Sequence, residues 1–187
     1  MFDIILSTIY EWGINMSERS KKSMSASRTV KTQQIFPSDT NHHNTLFGGK
    51  LMAMIDDVAS IAATRHCGRS VVTASTDSVD FLQPIRPGEI VSMVALVTYT
   101  GTSSLEVCVK IVAENILEQR KHLAAISFLT FVALDEHNLP VMVPEVVAET
   151  EDQVWLNETG KERAKVRKER RSKSKDLHQF FSNNLTI

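Results

Sequence analysis

One apolar-striped helix followed by four long strand-like runs constrains this chain more than any other feature. From Gly48 to about His66, the residues Leu51, Ile55, Val58 and Ala62 recur at steps of four, three and four, which puts them on one helical face. Ala53, Ala59, Ala62 and Ala63 keep the helix thin enough to lie close to a sheet, and Cys67-Gly68 supplies a stop. The texture then turns β-branched and alternating. Strands are expected at 71–82, 89–100, 105–114 and 121–134, separated by the turn signals Gln83-Pro84, Pro87-Gly88 and Gly101–Ser104. A shorter strand is expected from Thr29, ended by Pro37, with the polar loop 38–45 before the helix. One helix followed by a meander implies an α+β fold in which the helix packs on one face of an antiparallel sheet. Such a sheet leaves edge strands exposed in a monomer, and pairing of two copies would remove that liability.

At 187 residues the chain fits one domain. Its body is read as 29–144. Residues 1–28 are expected to be a flexible extension, rich in Ser, Lys and Arg from residue 17 on. Residues 145–187 form a helical or disordered tail, acidic from 145 to 158 and strongly basic from 161 to 175. The basic run is too polar to contribute core, so shortening the chain after about residue 160 is expected to leave the fold intact. The apolar stretch before Met16 lacks the flanks of a signal peptide and is too short to span a bilayer. It reads as a short helix or a frayed extension, or as sequence upstream of a start at Met16. A net charge of −1 gives no whole-chain reason to expect nucleic acid, and the basic run has no interleaved aromatics. Two cysteines without a C-x-x-C spacing suggest neither a disulfide framework nor zinc, and a reducing, cytoplasmic setting follows.

Chemistry concentrates in the stretch Asp39 to Gly49 and at Asp56-Asp57. Gly48 and Gly49 leave backbone N–H groups open at the positive end of the helix dipole, which suits a carbonyl oxygen acquiring charge. Asp56 lies on the helix beside the buried stripe, where a carboxylate is either costly or useful. Asp57, about 100° further round, reads as solvated. Cys67 has no evident base, His42 and His43 lack further metal ligands, and the helix dipole accounts for His66.

The run NTLFGGKLMAMIDDVASIAATRHCGRSVVTASTDSVDFLQPIRPGE resembles the acyl-CoA hydrolases of the hotdog superfamily, both the small bacterial enzymes and the brain-type cytosolic ones. FGG opening the helix, Asp56, RHC at the helix end, DFLQPI and the later G-T-S-S all fall in the family's order, over about 29–144. The resemblance implies a long central helix wrapped by an antiparallel sheet of five or six strands. It also implies sheets joined edge to edge in a homodimer, assembly into a trimer of dimers, and a site at the dimer interface. It puts the catalytic acid on Asp56, the polarising amide on Gly48 or Gly49, and a polar partner on Asn44 or Thr45. Gly101, Thr102, Ser103 and Ser104, with Arg65, fall where relatives touch CoA. The implied activity is hydrolysis of acyl-CoA to free acid and CoA, with no metal and no cofactor beyond the CoA of the substrate. A hotdog hydratase is the near alternative, but Asp39-Thr40-Asn41-His42-His43-Asn44 lacks the final His of D-x-N-P-x-H. A non-catalytic acyl-CoA sensor is the other alternative, and it would gain nothing from a carboxylate at Asp56.

Overall fold

The computed structural model describes residues 19–184. The expectations for residues 1–16 fall outside the described residues. A two-stranded parallel sheet joins β1 (Lys21–Ser23) to β7 (Glu145–Val147). The main sheet contains β2 (Thr29–Gln34), β3 (Ser70–Phe81), β4 (Ile90–Thr100), β5 (Ser104–Asn115) and β6 (Arg120–Leu134). These lie in the order β2-β4-β5-β6-β3, with every neighbouring pair antiparallel.

The helix α1 (Gly48–Cys67) covers one face of this sheet. Leu51, Ile55, Val58, Ala59, Ala62 and Ala63 are almost fully buried against Val91, Met93 and Ala95 of β4 and Val107, Val109 and Ile111 of β5. The alternation read in β5 is therefore the inner face of the sheet. Gly68 ends α1 in the left-handed conformation, φ 65°, where its N–H bonds Thr64 O at 2.8 Å.

Two boundaries differ from the sequence reading. Order begins well before Thr29: Met24 is fully buried in a short 3₁₀ turn, Met24–Ser27, and Ser27 Oγ accepts from Val97 N at 2.9 Å. Serine-rich composition concealed this segment because its contacts are with residues about 70 and 120 positions away.

The basic tail, for its part, packs. It belongs to α2 (Glu151–Asn183), which begins at a Thr150 cap and lies on the outer face of the sheet. A Cβ on Gly160 would stand 2.8 Å from Tyr99 Cβ, so glycine here permits the close approach of helix to sheet. Beneath it, Glu106 is fully buried and accepts from Thr98 Oγ1 at 2.8 Å and from Arg163 Nη2 at 2.8 Å, and it pairs with Arg167 as well. Arg163 also stacks over Phe128, 4.0 Å from the ring centroid. A chain cut after residue 160 would lose both cations of Glu106 together with part of its cover, so the basic run is in contact with the body, which its polarity did not suggest.

Candidate active site

The loop before α1 is organised around Asn41. Its Oδ1 accepts from His43 N at 2.9 Å, Thr45 N at 3.3 Å and Thr45 Oγ1 at 3.2 Å. Asn44 takes the left-handed conformation, φ 57°, and its N–H bonds Asn41 O. Asn44 and Thr45, the partners suggested by sequence, thus build the turn. With its oxygen held by three donors, Asn41 has a fixed orientation, and its amide nitrogen makes no hydrogen bond among the described residues.

Leu46 N bonds Ile85 O at 2.8 Å and Phe47 N bonds Asp39 O at 2.9 Å, which aims the loop into α1. The helix opens at Phe47 without a side-chain cap, so the N–H groups of Gly48 and Gly49 face outward from the first turn. The Phe47 ring lies over Gly49, where an added Cβ would come within 2.6 Å of it and make the exposed ring move aside. Asn41, Gly48, Leu51, Phe81 and Leu82 line a cavity of about 410 Å³.

Asp56 comes two turns later, half-buried, on the flank of α1 that meets β3. Thr73 Oγ1 donates to its Oδ1 at 2.8 Å. Thr73 stands on the edge strand immediately before a register shift between Thr73 and Ser75, and a second shift lies between Thr76 and Ser78. Bulges of this kind re-aim side chains along a strand. Sequence reasoning missed Thr73, because its relation to Asp56 exists only through the packing of β3 beside α1. The neighbouring Asp57 pairs with Lys31 at the surface.

The remaining predicted residues lie elsewhere. Gly101–Ser104 is a tight turn in which Gly101 N bonds Ser104 O at 2.9 Å, while Arg19 holds Gly101 O at 2.5 Å. Arg65, at the far end of α1, donates to Arg28 O and Thr29 Oγ1, both at 3.0 Å. His66 is not a surface residue favoured as a cation by the dipole. It is fully buried, and desolvation pushes its pKa below the ordinary value despite the bond to Pro144 O. Burial raises the Cys67 thiol and pushes Cys108 up to about 12, so neither resembles an activated nucleophile. Among the described residues no three His, Cys, Asp or Glu side chains cluster as for a metal.

Within one chain the elements fall into two halves. Asn41 and the Gly48 amide sit at the start of α1, and Asp56 with Thr73 sits eight residues, roughly 12 Å of helix rise, further on. The strand beside the second half, β3, pairs with no strand on its outer edge among the described residues, and not one of its twelve residues is buried.

Residues 43–119 match the model of the thioesterase superfamily. The chain is 56% identical over 151 residues to an uncharacterized acyl-CoA thioester hydrolase, YkhA, of Bacillus subtilis, covering 81% of this chain and 88% of that protein. Its structure is similar to that of an acyl-CoA hydrolase from Staphylococcus aureus solved with butyryl coenzyme A and coenzyme A. The TM-score is 0.83 at 50% identity, over 87% of this chain and 99% of that one. That hydrolase has also been solved with an aspartate, an asparagine or a threonine replaced by alanine. A hexameric acyl-CoA thioesterase aligns with a TM-score of 0.79 at 42% identity, over 81% of this chain and 97% of that one.

Proposed function

The chain belongs to the acyl-CoA thioester hydrolases of the thioesterase superfamily, and on that premise we propose that Asp56, Thr73 and Asn41 are the residues with which it hydrolyses acyl-CoA. The observation that carries this reading is the Thr73–Asp56 hydrogen bond. It occupies one carboxylate oxygen and leaves the other to act on water or directly on a carbonyl. The thioester carbonyl is polarised by the Gly48 or Gly49 N–H, supported by the Asn41 amide nitrogen. In the general-base form, water gives a proton to Asp56 and its oxygen attacks the carbonyl carbon. The tetrahedral adduct then expels CoA as thiolate, which takes up the proton. In the nucleophilic form Asp56 attacks the carbonyl carbon and CoA leaves as thiolate, and water then cleaves the resulting anhydride to the free acid and the Asp56 carboxylate, its remaining proton going to the thiolate. Either way, acyl-CoA and water become free acid and CoA.

The two halves of the site are too far apart in one chain to act on one carbonyl. We infer that two protomers join their β3 edges antiparallel, so that Asp56 and Thr73 of one face Asn41 and Gly48 of the other. The unpaired, unburied β3 supports this arrangement, and the hexameric relative supports a trimer of such dimers. The cavity between Gly48, Leu51 and Phe81 suits the acyl chain. Arg65 and the turn Gly101, Thr102, Ser103 and Ser104 are the candidates for CoA contacts. Two free thiols suit a cytoplasmic enzyme, and no helix among the described residues is long and apolar enough to cross a membrane.

The test is release of free thiol from acyl-CoA by Asp56→Asn beside Asp57→Asn. The first should lose about two to four orders of magnitude in kcat and the second little. Equal losses would overturn the assignment.

A further inference from the structure

Asp77 of β3 is a carboxylate tied on several sides, and none of its partners belongs to the site described above. Its Oδ1 accepts from Ser75 Oγ at 2.7 Å and from Arg170 Nη2 at 2.5 Å. Its Oδ2 accepts from Thr130 Oγ1 at 2.7 Å and lies 3.4 Å from Arg167 Nη1. Arg170 Nη1 also reaches Asp77 O at 3.3 Å. One side chain thus joins the edge strand to itself, to β6 and to α2.

The tie falls where β3 breaks register. Thr73 pairs with Phe131, Ser75 with Thr130, Thr76 with Leu129 and Ser78 with Phe128. Ala74 and Asp77 are therefore extra residues with no counterpart on β6. Strict alternation would put Thr73 and Ser75 on the same face of the sheet. The extra residue Ala74 puts them on opposite faces. Thr73 reaches inward to Asp56 on α1, while Ser75 reaches outward to Asp77 beneath α2. Thr130, the partner of Ser75, gives its hydroxyl to the same carboxylate.

From Thr73 to Ser78 the strand is small or polar on both faces, and such a strand specifies its register weakly. A slip that removed the Ala74 bulge would turn Thr73 away from Asp56 or Ser75 away from Asp77. What holds Asp77 is itself anchored: Arg167 is also paired with the buried Glu106 of β5. The helix α2 grips β3 and β5 together at the bulge.

We propose that Asp77 is a positioning residue for the hydrolysis. Held by Arg167 and Arg170, it pins Ser75 to the outer face and so keeps the Thr73 hydroxyl on Asp56. The basic run of α2 thereby aligns the carboxylate without touching it. The proposal rests on the reading of Asp56 and Thr73 as part of the site.

A double-variant cycle in thiol release tests it. Asp77→Ala strands no buried cation, since Arg167 keeps Glu106 and Arg170 is 45% exposed. It should lower kcat by about threefold to thirtyfold and move KM by less than about a factor of two, because alignment is lost and binding is not. In a Thr73→Val background the same change should cost kcat less than about a factor of two, since the hydroxyl it positions is gone. Should Asp77→Ala lack a cooperative urea transition, Ser75→Ala takes its place in both arms; it cuts the link to Ser75 and leaves the arginine pairs of Asp77 intact. An unchanged kcat in the folded variant, an equal loss in the two backgrounds, or a change in KM alone overturns the proposal and leaves Asp56 and Thr73 standing. Full kcat in Thr73→Val itself removes Thr73 from the site and this inference with it.

Discussion

Thr73 Oγ1 and Asp56 Oδ1 lie 2.8 Å apart, one on the edge strand and the other on the central helix, so the strand edge fixes the orientation of the helix carboxylate. The bond uses one lone pair of Asp56 and leaves the second oxygen free. Thr73→Val keeps the shape and the β-branch but removes the donor. With an exposed side chain on β3, the variant should keep its fold and its melting temperature. Its kcat in thiol release should fall by about tenfold to a hundredfold, less than for Asp56→Asn, because the base survives and loses only its alignment. An unchanged kcat would mean that Asp56 needs no orienting partner.

A site divided between protomers makes a statistical prediction. Asp56→Asn and Asn41→Ala should each be nearly inactive alone. When the two are mixed and allowed to exchange subunits, half of the dimers are mixed, and each mixed dimer carries one intact site and one doubly damaged site. Activity should recover to about a quarter of the unsubstituted level. If Asp56 and Asn41 instead serve one carbonyl within a single chain, mixing restores nothing.

Glu106 marks where sequence reading stopped short. The helix, its stripe and four of the strands were legible to within a residue or two, because their signals are periodic and local. So was Asp56 as a candidate, since a carboxylate beside an apolar stripe stands out. Glu106 lies among the alternating residues of β5, between Leu105 and Val107. Its burial was not legible, because the cover comes from Arg163 and Arg167, about sixty positions along. The same limit hid Thr73, 17 residues from its partner, and the buried Met24 in a serine-rich segment. Tertiary pairing of polar groups leaves no period in a sequence.

That ion cluster yields a stability prediction. Replacing both Arg163 and Arg167 by Ala strips Glu106 of its two cations and opens part of its cover, leaving Thr98 as its remaining side-chain donor. Breaking a buried pair costs about 3–5 kcal/mol, and water admitted to Glu106 holds the loss toward the lower end of that range. The double variant should show a clear drop in the urea midpoint. The triple variant, with Glu106→Gln added, should recover much of the loss, because no buried charge is then left unpaired. If the double variant unfolds at the same urea concentration as the parent, α2 is not anchored through Glu106.

The pH dependence of stability should carry the signature of His66. Its ring is fully buried at the end of α1, with Nε2 3.2 Å from Pro144 O and Nδ1 unpartnered. Desolvation is the main cause of its lowered pKa. The bond to Pro144 opposes it, and the nearby charges of Lys22 and Arg19 add to it. In the unfolded chain the same imidazole takes a proton near its ordinary value of about 6.5. Above that pH both states hold it neutral, and His66 contributes no slope. As the pH falls below 6.5 the unfolded chain binds the proton first, so stability declines until the folded-state pKa is reached. Urea unfolding between pH 7.5 and 5 should therefore show stability falling through the lower part of that range. His66→Gln keeps a donor for Pro144 and cannot titrate, so its curve should be flatter by the equivalent of one proton. Parallel curves for the two proteins would place the titrating group elsewhere.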